Sequence, residues 1–177
     1  MGSRIVVGVD PSTHTGLCAC DLTGKVVEAI EVTSAAVGFQ RVSEISGQVL
    51  AFIAKHSPEK IIIEAPIIGH VSSARTLLEV AYILRYFLWQ EGYEYLEVSP
   101  ATLKVFVCGL GNAKKEQMLM GVFKHYGYES TTNNIADAVG LAEMGVSLVT
   151  GNCLPHQFES VRKAFQARPA GRKKVKK

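Results

Sequence analysis

The segment RIVVGVDPSTHTGLCACDLTGKVVEAIEVT, residues 4–33, contains three consecutive strand patterns joined by short turns. Residues 4–10 are β-branched and nearly continuously apolar, which is typical of a strand buried on both faces of a sheet. Residues 16–21 and 25–33 are predicted to form the next two strands, with a turn at residues 22–24. Because the connections are so short, all three strands are predicted to pair antiparallel.

After residue 33 the apolar pattern changes from strand spacing to helix spacing. Residues 39–56 place apolar side chains at intervals of three and four, as an amphipathic helix does. Further strands are predicted at 60–64 and 93–98, with a long helical pattern at 72–91 between them. Each follows a helical crossover, so both should join the sheet in parallel. Further helices are predicted at residues 99–107, 113–126, 133–149 and 155–167, and Ser99 should cap the first of these.

The predicted fold class is therefore α/β: a mixed five-stranded sheet, three antiparallel strands followed by two parallel ones, flanked by helices. The length of 177 residues suits one domain, which we place at residues 1–167, followed by a tail at 168–177 that is predicted to be disordered. With 47% hydrophobic and 20% charged residues, the chain can form a core, which excludes global disorder.

The composition also indicates the cellular compartment of the protein. No stretch approaches 18 consecutive apolar residues, and the start MGSRIVV lacks the shape of a signal peptide. The four cysteines form no CxxC pair and no zinc-ligand spacing, so they are predicted to be reduced thiols. We therefore expect a cytoplasmic protein without a membrane span.

Charge is distributed unevenly along the chain. Residues 1–160 carry 11 Lys and Arg side chains against 16 Asp and Glu, whereas residues 161–177 carry eight basic side chains and no acid. A basic end on a mildly acidic domain favours a polyanionic partner, most commonly nucleic acid. The alternative is a solvated tail that only keeps the protein soluble.

Three carboxylates are predicted to lie in apolar surroundings. Asp10 ends the first strand, Glu64 ends the fourth, and Asp137 lies in the largely apolar helix NNIADAVGLAEMGVSLV. The two strand-end acids should be neighbours at the carboxyl edge of the sheet, where α/β proteins bind ligands. Burying a carboxylate without a compensating partner costs roughly several kcal/mol, so a nearby cation is expected. Ligands that offer only oxygen suit Mg²⁺.

Each of these acids also has an interpretation without a metal. Asp10 precedes Pro11 and is a good turn initiator, while Glu64 precedes Ala65 and Pro66 and could simply leave the strand into solvent. Asp137 is the hardest to explain in this way, because its neighbours in the helix are apolar.

Four motifs, in their order and spacing, resemble the RuvC family of Holliday-junction resolvases over roughly residues 4–150. They are GVDPSTHTG, IIIEAP, SPATLKVFVCGLGNAKKEQM and NNIADAVGLAEMG. The third contains the pattern K-x-x-x-x-G-x-G-x-A-x-K-x-Q, which is the most specific. Members of this family are Mg²⁺-dependent endonucleases of the RNase H-like superfamily, whose fold agrees with the predicted order of strands and helices.

The resemblance implies roles for individual residues. Asp10, Glu64 and Asp137 correspond to the family's catalytic acids, and Lys115 and Lys104 to lysines near the scissile phosphate. It implies a homodimer that nicks a four-way junction symmetrically, with two Mg²⁺ per active site, Mn²⁺ as a substitute, and products ending in 5′-phosphate and 3′-hydroxyl. Residues expected to contact DNA are Lys104, Lys114, Lys115, Gln117, Ile67 and, in the tail, Arg172, Lys173 and Lys174. Without the resemblance, Lys114 and Lys115 would be interpreted as a solvated helix start.

The chain departs from the family pattern at three positions near the acids, and the first is Ser12, which stands where the family has a glycine after Asp-Pro. Bacterial members usually carry an acid or histidine where this chain has Asn134, three residues before Asp137 and on the same helix face. Asn134 is predicted to ligate metal through its carbonyl oxygen without contributing charge; helix capping shared with Asn133 and Thr132 is the alternative. Ile67 replaces a base-stacking aromatic and would stack poorly, although it could wedge between bases. Together with the basic tail, these departures suggest a divergent, phage-encoded member.

Two other functions remain open from the sequence. One is an RNase H-like nuclease that acts on RNA or flaps, which the lysine–glycine motif disfavours only by resemblance. The other is a module that binds branched DNA without cutting it, which the neutral Asn134 keeps possible.

Overall fold

Five strands form one mixed sheet in the computed structural model, which describes residues 4–66 and 71–166. The spatial order of the strands is β3-β2-β1-β4-β5. β1 pairs antiparallel with β2 and parallel with β4, β2 pairs antiparallel with β3, and β5 adds in parallel to β4. The predicted fold class is therefore confirmed. The elements are β1 Ile5–Asp10, β2 His14–Asp21, β3 Val26–Thr33, α1 Gly38–His56, β4 Lys60–Glu64, α2 Val71–Gln90, β5 Leu96–Val98, α3 Pro100–Cys108, α4 Lys115–Tyr126, α5 Asn133–Thr150, a 3₁₀ turn Pro155–Gln157 and α6 Phe158–Gln166.

The element boundaries differ from the prediction mainly where local hydrogen bonds end a helix or delay its start. β5 has only three residues, because the chain before it closes the end of α2, with the Tyr93 amide donating to the Leu88 carbonyl. α4 begins two residues later than predicted, after a turn in which the Ala113 amide donates to the Leu110 carbonyl. Ser99 does cap α3: its hydroxyl accepts a hydrogen bond from the Thr102 amide at 3.2 Å. The predicted tail lies outside the described residues.

Both faces of the central strands are covered by helices. Alternate residues of β1 and β4, such as Val7 and Ile63, pack against α1 and α2, while Val6 and Ile62 pack under α5. This two-sided burial explains why the first strand is almost continuously apolar, since each buried Val or Ile stabilises the fold by roughly 1.5–3 kcal/mol. Among the described helices, none combines the length and apolarity needed to cross a membrane.

Glycines let α5 lie directly on the sheet. A Cβ atom on Gly8 would lie 2.1 Å from the carbonyl oxygen of Ala138, and one on Gly16 would lie 1.9 Å from that of Asn134. Near the other end of the helix, a Cβ on Gly145 would lie 2.4 Å from a methyl group of Val6. Such distances leave no room for a side chain, so these contacts fix the height of α5 and hence the position of Asp137.

We expect Glu143, on the inner face of α5, to make stability depend on pH. The residue is only 6% exposed, and burial raises the pKa of its carboxyl to about 7, opposed by the weak hydrogen bond from the Cys20 thiol and reinforced by Asp21. The pKa of Glu143 is higher in the folded protein than in the unfolded chain, so protonation of this carboxyl stabilises the fold. That contribution to the free energy of unfolding is complete below about pH 4 and is lost as pH rises through about 7.

Glu143→Gln is therefore expected to raise the free energy of unfolding by about 2–3 kcal/mol at pH 8 and to change it little at pH 4. Urea unfolding at the two pH values measures this, with the exposed Glu91→Gln as the control. An equal effect of Glu143→Gln at both pH values would contradict the prediction.

Candidate active site

The carboxyl edge of the sheet brings Asp10 and Glu64 together. The parallel strands β1 and β4 run in register up to Val9 and Ile63, so the two acids follow as neighbours. Strand alternation turns both side chains toward α5, the same face as Val6 and Ile62. Asp10 is only 8% exposed, and both acids line a pocket of about 230 Å³. Burial of Asp10 disfavours the interpretation that it only starts a turn.

α5 brings the third acid to the same place. Asp137 and Asn134, one helical turn apart, line a cleft of about 460 Å³ that adjoins the pocket, because Glu64 and Asn134 line both. The four residues predicted to bind metal therefore lie together. Of the three residues in the capping alternative, Thr132 caps α5, because its hydroxyl accepts a hydrogen bond from the Ile135 amide at 3.2 Å, while Asn134 lies inside the helix.

The carboxylates of this site repel one another. Burial raises the pKa of Asp10 well above its usual range, and Glu64, Asp137 and Glu31 add to the rise. Burial and Asp137 raise the pKa of Glu64 to about 8, against the opposing charge of Lys104. Burial raises the pKa of Asp137 to about 6, with Lys104 and Lys115 opposing it. Burial, and for Asp10 and Glu64 also repulsion from neighbouring carboxylates, disfavours the ionised acids, and a bound cation would offset this cost.

The chemistry of these side chains fits Mg²⁺ or Mn²⁺. All four predicted ligands offer oxygen, and the Oδ1 atom of Asn133, which lines the same cleft, is buried without a hydrogen-bond donor. As the side chains stand in residues 4–66 and 71–166, however, no group of three or more His, Cys, Asp or Glu is arranged to hold a metal ion. A divalent cation would remove the repulsion between the carboxylates and allow their oxygens to converge.

Basic residues line the cleft together with the acids. Lys104 from α3, and Lys114 and Lys115 at the start of α4, are all among its lining residues. Gln117 is not: its Oε1 atom accepts a hydrogen bond from the Lys114 amide at 2.7 Å and so caps α4. Its contact with DNA stays a prediction. Ile67, Arg172, Lys173 and Lys174 lie outside the described residues, and their roles stay predictions as well.

Arg85 supports the site, although the sequence prediction gave it no role. This residue of α2 is 8% exposed, and its guanidinium donates to the Glu64 carbonyl at 2.8 Å and forms an ion pair with Glu97. It therefore holds the end of β4, from which the Glu64 side chain projects. A basic residue on the apolar face of a predicted helix was the available signal, because a buried guanidinium needs partners.

Glu31 is the second residue that was missed. It lies on β3, where its carboxylate accepts hydrogen bonds from the Asn134 amide group at 2.9 Å and the Thr132 hydroxyl at 2.8 Å. Burial raises its pKa, but these bonds and the nearby His14 outweigh burial, so the pKa lies below its usual value. No local pattern in the sequence could have identified Glu31, because its position depends on the register of β2 with β3.

Comparison with known proteins identifies the family of the chain. Residues 6–144 match the family described as "Crossover junction endodeoxyribonuclease RuvC". A RuvC of that description from Chlorobaculum parvum is 30% identical over 162 residues, which are 84% of this chain and 86% of the relative.

Solved structures show the same fold. The structure of Thermus thermophilus RuvC covers 94% of this chain and 99% of its own, at 20% identity and a TM-score of 0.69. With the same coverage and identity, T. thermophilus RuvC in complex with Holliday junction substrate gives a TM-score of 0.72. The yeast mitochondrial Holliday junction resolvase Ydc2 gives 0.56 at 12% identity, over 92% of this chain and 84% of its own. With its acids, its cleft and a family match that spans most of its length, this chain belongs to the RuvC family of Holliday-junction resolvases.

Proposed function

We propose that this protein is a metal-dependent, structure-selective endonuclease that resolves four-way DNA junctions, and other branched DNA, by paired symmetric nicks. The observation that carries the proposal is the meeting of Asp10, Glu64 and Asp137, three buried acids whose pKa values are all raised, at two adjoining cavities, one of which lysines also line. That pairing of buried carboxylates with nearby positive charge suits a site for metal and a phosphodiester.

The proposed mechanism assigns each residue a task. Asp10, Glu64, Asp137 and the Asn134 carbonyl oxygen would hold two Mg²⁺, which when bound supply charge neutralisation and an activated water. Lys115 and Lys104 bind and orient the scissile phosphate by charge, and Lys114 holds the neighbouring backbone. The products would carry 5′-phosphate and 3′-hydroxyl ends. Within this scheme no side chain of the protein needs to act as a covalent nucleophile.

The protein is proposed to act as a homodimer, because two symmetric nicks require two active sites. α2 presents an exposed aromatic surface that suits the contact between subunits: Tyr82, Tyr86 and Trp89 are each about half exposed. These three side chains are therefore outside the core. One relative of known structure is described as a complex with Holliday junction substrate, which supports branched DNA as the substrate. A phage origin stays a prediction.

The experiment is Mg²⁺-dependent cleavage of a labelled four-way junction, run beside a linear duplex, a three-way fork and an RNA–DNA hybrid. Paired nicks in the junction, with the duplex and hybrid intact, are expected. Cutting of the fork as well would indicate a broad debranching nuclease, and cutting of the hybrid would favour the RNA-directed alternative. Tight junction binding without cleavage in either Mg²⁺ or Mn²⁺ would favour the non-cutting module.

The basic tail is proposed to hold the arms of the junction through phosphate contacts by Arg172, Lys173 and Lys174. Deletion of residues 168–177 is expected to weaken junction binding and to make its affinity fall less steeply with salt, because fewer counterions are released on binding. The thermal unfolding of the domain should be unchanged. Binding measured by fluorescence anisotropy across a salt series tests this, and an unchanged salt dependence would exclude the proposed role.

A further inference from the structure

Three residues form one row across the first three strands. Asp10 on β1 pairs with Gly16 on β2, and Gly16 pairs with Glu31 on β3. Directly paired residues point to the same face of a sheet, so Asp10 and Glu31 flank Gly16 on the face covered by α5, with roughly 5 Å between neighbouring strands. Since Gly16 has no side chain, the backbone of Asn134 occupies the space above it. Asn134, in the first turn of α5, therefore lies above Gly16, between the strands that carry the two carboxylates.

The hydrogen bonds of Glu31 determine which way the Asn134 amide points. The Nδ2 atom of Asn134 donates to Oε2 of Glu31 at 2.9 Å, and the same oxygen accepts from the Thr132 hydroxyl at 2.8 Å. An ionised carboxylate can only accept hydrogen bonds, so the amide nitrogen must face it. The Oδ1 atom of Asn134, which is the only atom of the amide that can ligate a metal, is then directed away from Glu31.

Asn134 lines both cavities of the site, together with Glu64, so the direction of its amide oxygen matters for metal binding. In the part of the chain that the structure describes, no donor forms a hydrogen bond with its Oδ1 atom, whereas its nitrogen is bound to Glu31. A neutral amide held in this way by a carboxylate is also a better oxygen donor, because the carboxylate polarises the amide toward its oxygen.

We propose that Glu31 is a positioning residue: it orients the Asn134 amide so that its carbonyl oxygen joins Asp10, Glu64 and Asp137 as a metal ligand. The proposal rests on the proposed function, since it concerns the same metal site. Glu31 acts on the metal only through Asn134. Its contribution should therefore disappear when Asn134 cannot ligate.

The test is Mn²⁺ binding, measured by titration calorimetry on the full chain in the absence of DNA. In Glu31→Gln the new amide can face Asn134 with either its oxygen or its nitrogen, so the orientation of Asn134 is no longer imposed. Mn²⁺ affinity is expected to fall by about 10-fold. In the Asn134→Ala background, the same substitution is expected to change the affinity by less than about 2-fold.

Two controls separate positioning from folding. Glu28→Gln alters another acid of β3, which pairs with Lys55 and His56 of α1 instead, and should leave Mn²⁺ binding unchanged. Thermal unfolding of each variant without metal verifies that α5 remains folded.

The outcomes distinguish this proposal from the proposed function. Unchanged Mn²⁺ affinity in Glu31→Gln would overturn the positioning role, and so would an equal loss with and without Asn134, which would indicate a charge effect that bypasses Asn134. If the unchanged protein itself binds no Mn²⁺, the metal site of the proposed function fails, and the inference fails with it.

Discussion

Asp10→Asn is expected to reduce Mg²⁺-dependent junction cleavage on the order of 10³-fold while leaving the affinity for the junction nearly unchanged. The reason lies in the position of Asp10, which is the most buried of the three acids and is close enough to Glu64, Asp137 and Glu31 for each to raise its pKa. Asparagine keeps the shape of the side chain but removes the charge that would draw a divalent cation into the pocket.

The measurement is single-turnover cleavage of a labelled junction together with a binding assay in Ca²⁺, which suppresses cutting. Asp137→Asn is expected to behave in the same way, because Asp137 lies in the adjoining cleft. Glu28→Gln, which alters an acid of β3 that pairs with α1, should cleave at the normal rate. Cleavage that survives in both Asp10→Asn and Asp137→Asn would exclude this cluster as the active site.

The unfolding temperature of Asp10→Asn separates loss of catalysis from loss of the fold. Because burial and like charges raise the pKa of Asp10, its ionised form destabilises the folded protein without metal. Asp10→Asn should therefore unfold at a higher temperature than the unchanged protein near neutral pH, and an inactive variant that unfolds at a lower temperature would instead indicate a damaged fold.

The sheet and its helices were predictable because their apolar patterns are strong and local. Residues 5–9 are continuously apolar because β1 is buried on both faces, and Asp137 was identifiable because a charge in an apolar helix needs a partner. The acids Asp10 and Glu64 could be placed together because each ends a strand at the carboxyl edge of the sheet.

Glu31 could not be identified in this way. Its strand, VVEAIEVT, contains two acids three residues apart, and nothing local in the sequence tells which of them faces α5: Glu31, which reaches Asn134, or Glu28, which pairs with α1. The difference depends on the register of β2 with β3, including the irregularity at Ala19 and Cys20. Register follows from packing over the whole sheet, which local periodicity does not report.

Gly16→Ala is expected to cause a large loss of stability, because among the glycines of residues 4–66 and 71–166 an added Cβ atom would have the least room at Gly16. The added carbon would lie 1.9 Å from the carbonyl oxygen of Asn134 and 2.4 Å from its carbonyl carbon. These are backbone atoms in the first turn of α5, which cannot turn aside as a side chain could. Either α5 rises from β2 or the strand shifts, and we expect the free energy of unfolding to fall by about 3 kcal/mol.

The same displacement should also reduce the rate of cleavage, because the first turns of α5 carry both Asn134 and Asp137. A shift of about 1 Å in a catalytic group can cost roughly 10²-fold in rate, so Gly16→Ala should lose at least that much activity under conditions where it remains folded. Urea unfolding and junction cleavage measure the two effects. Gly47→Ala is the matched control: Gly47 is exposed in α1 with no atom within 4 Å of the added carbon, so alanine should stabilise the helix by about 0.5–1 kcal/mol. Normal stability and cleavage in Gly16→Ala would show that α5 can leave β2 freely, and the close approach of Asn134 to the row formed by Asp10, Gly16 and Glu31 would then have no role in the site.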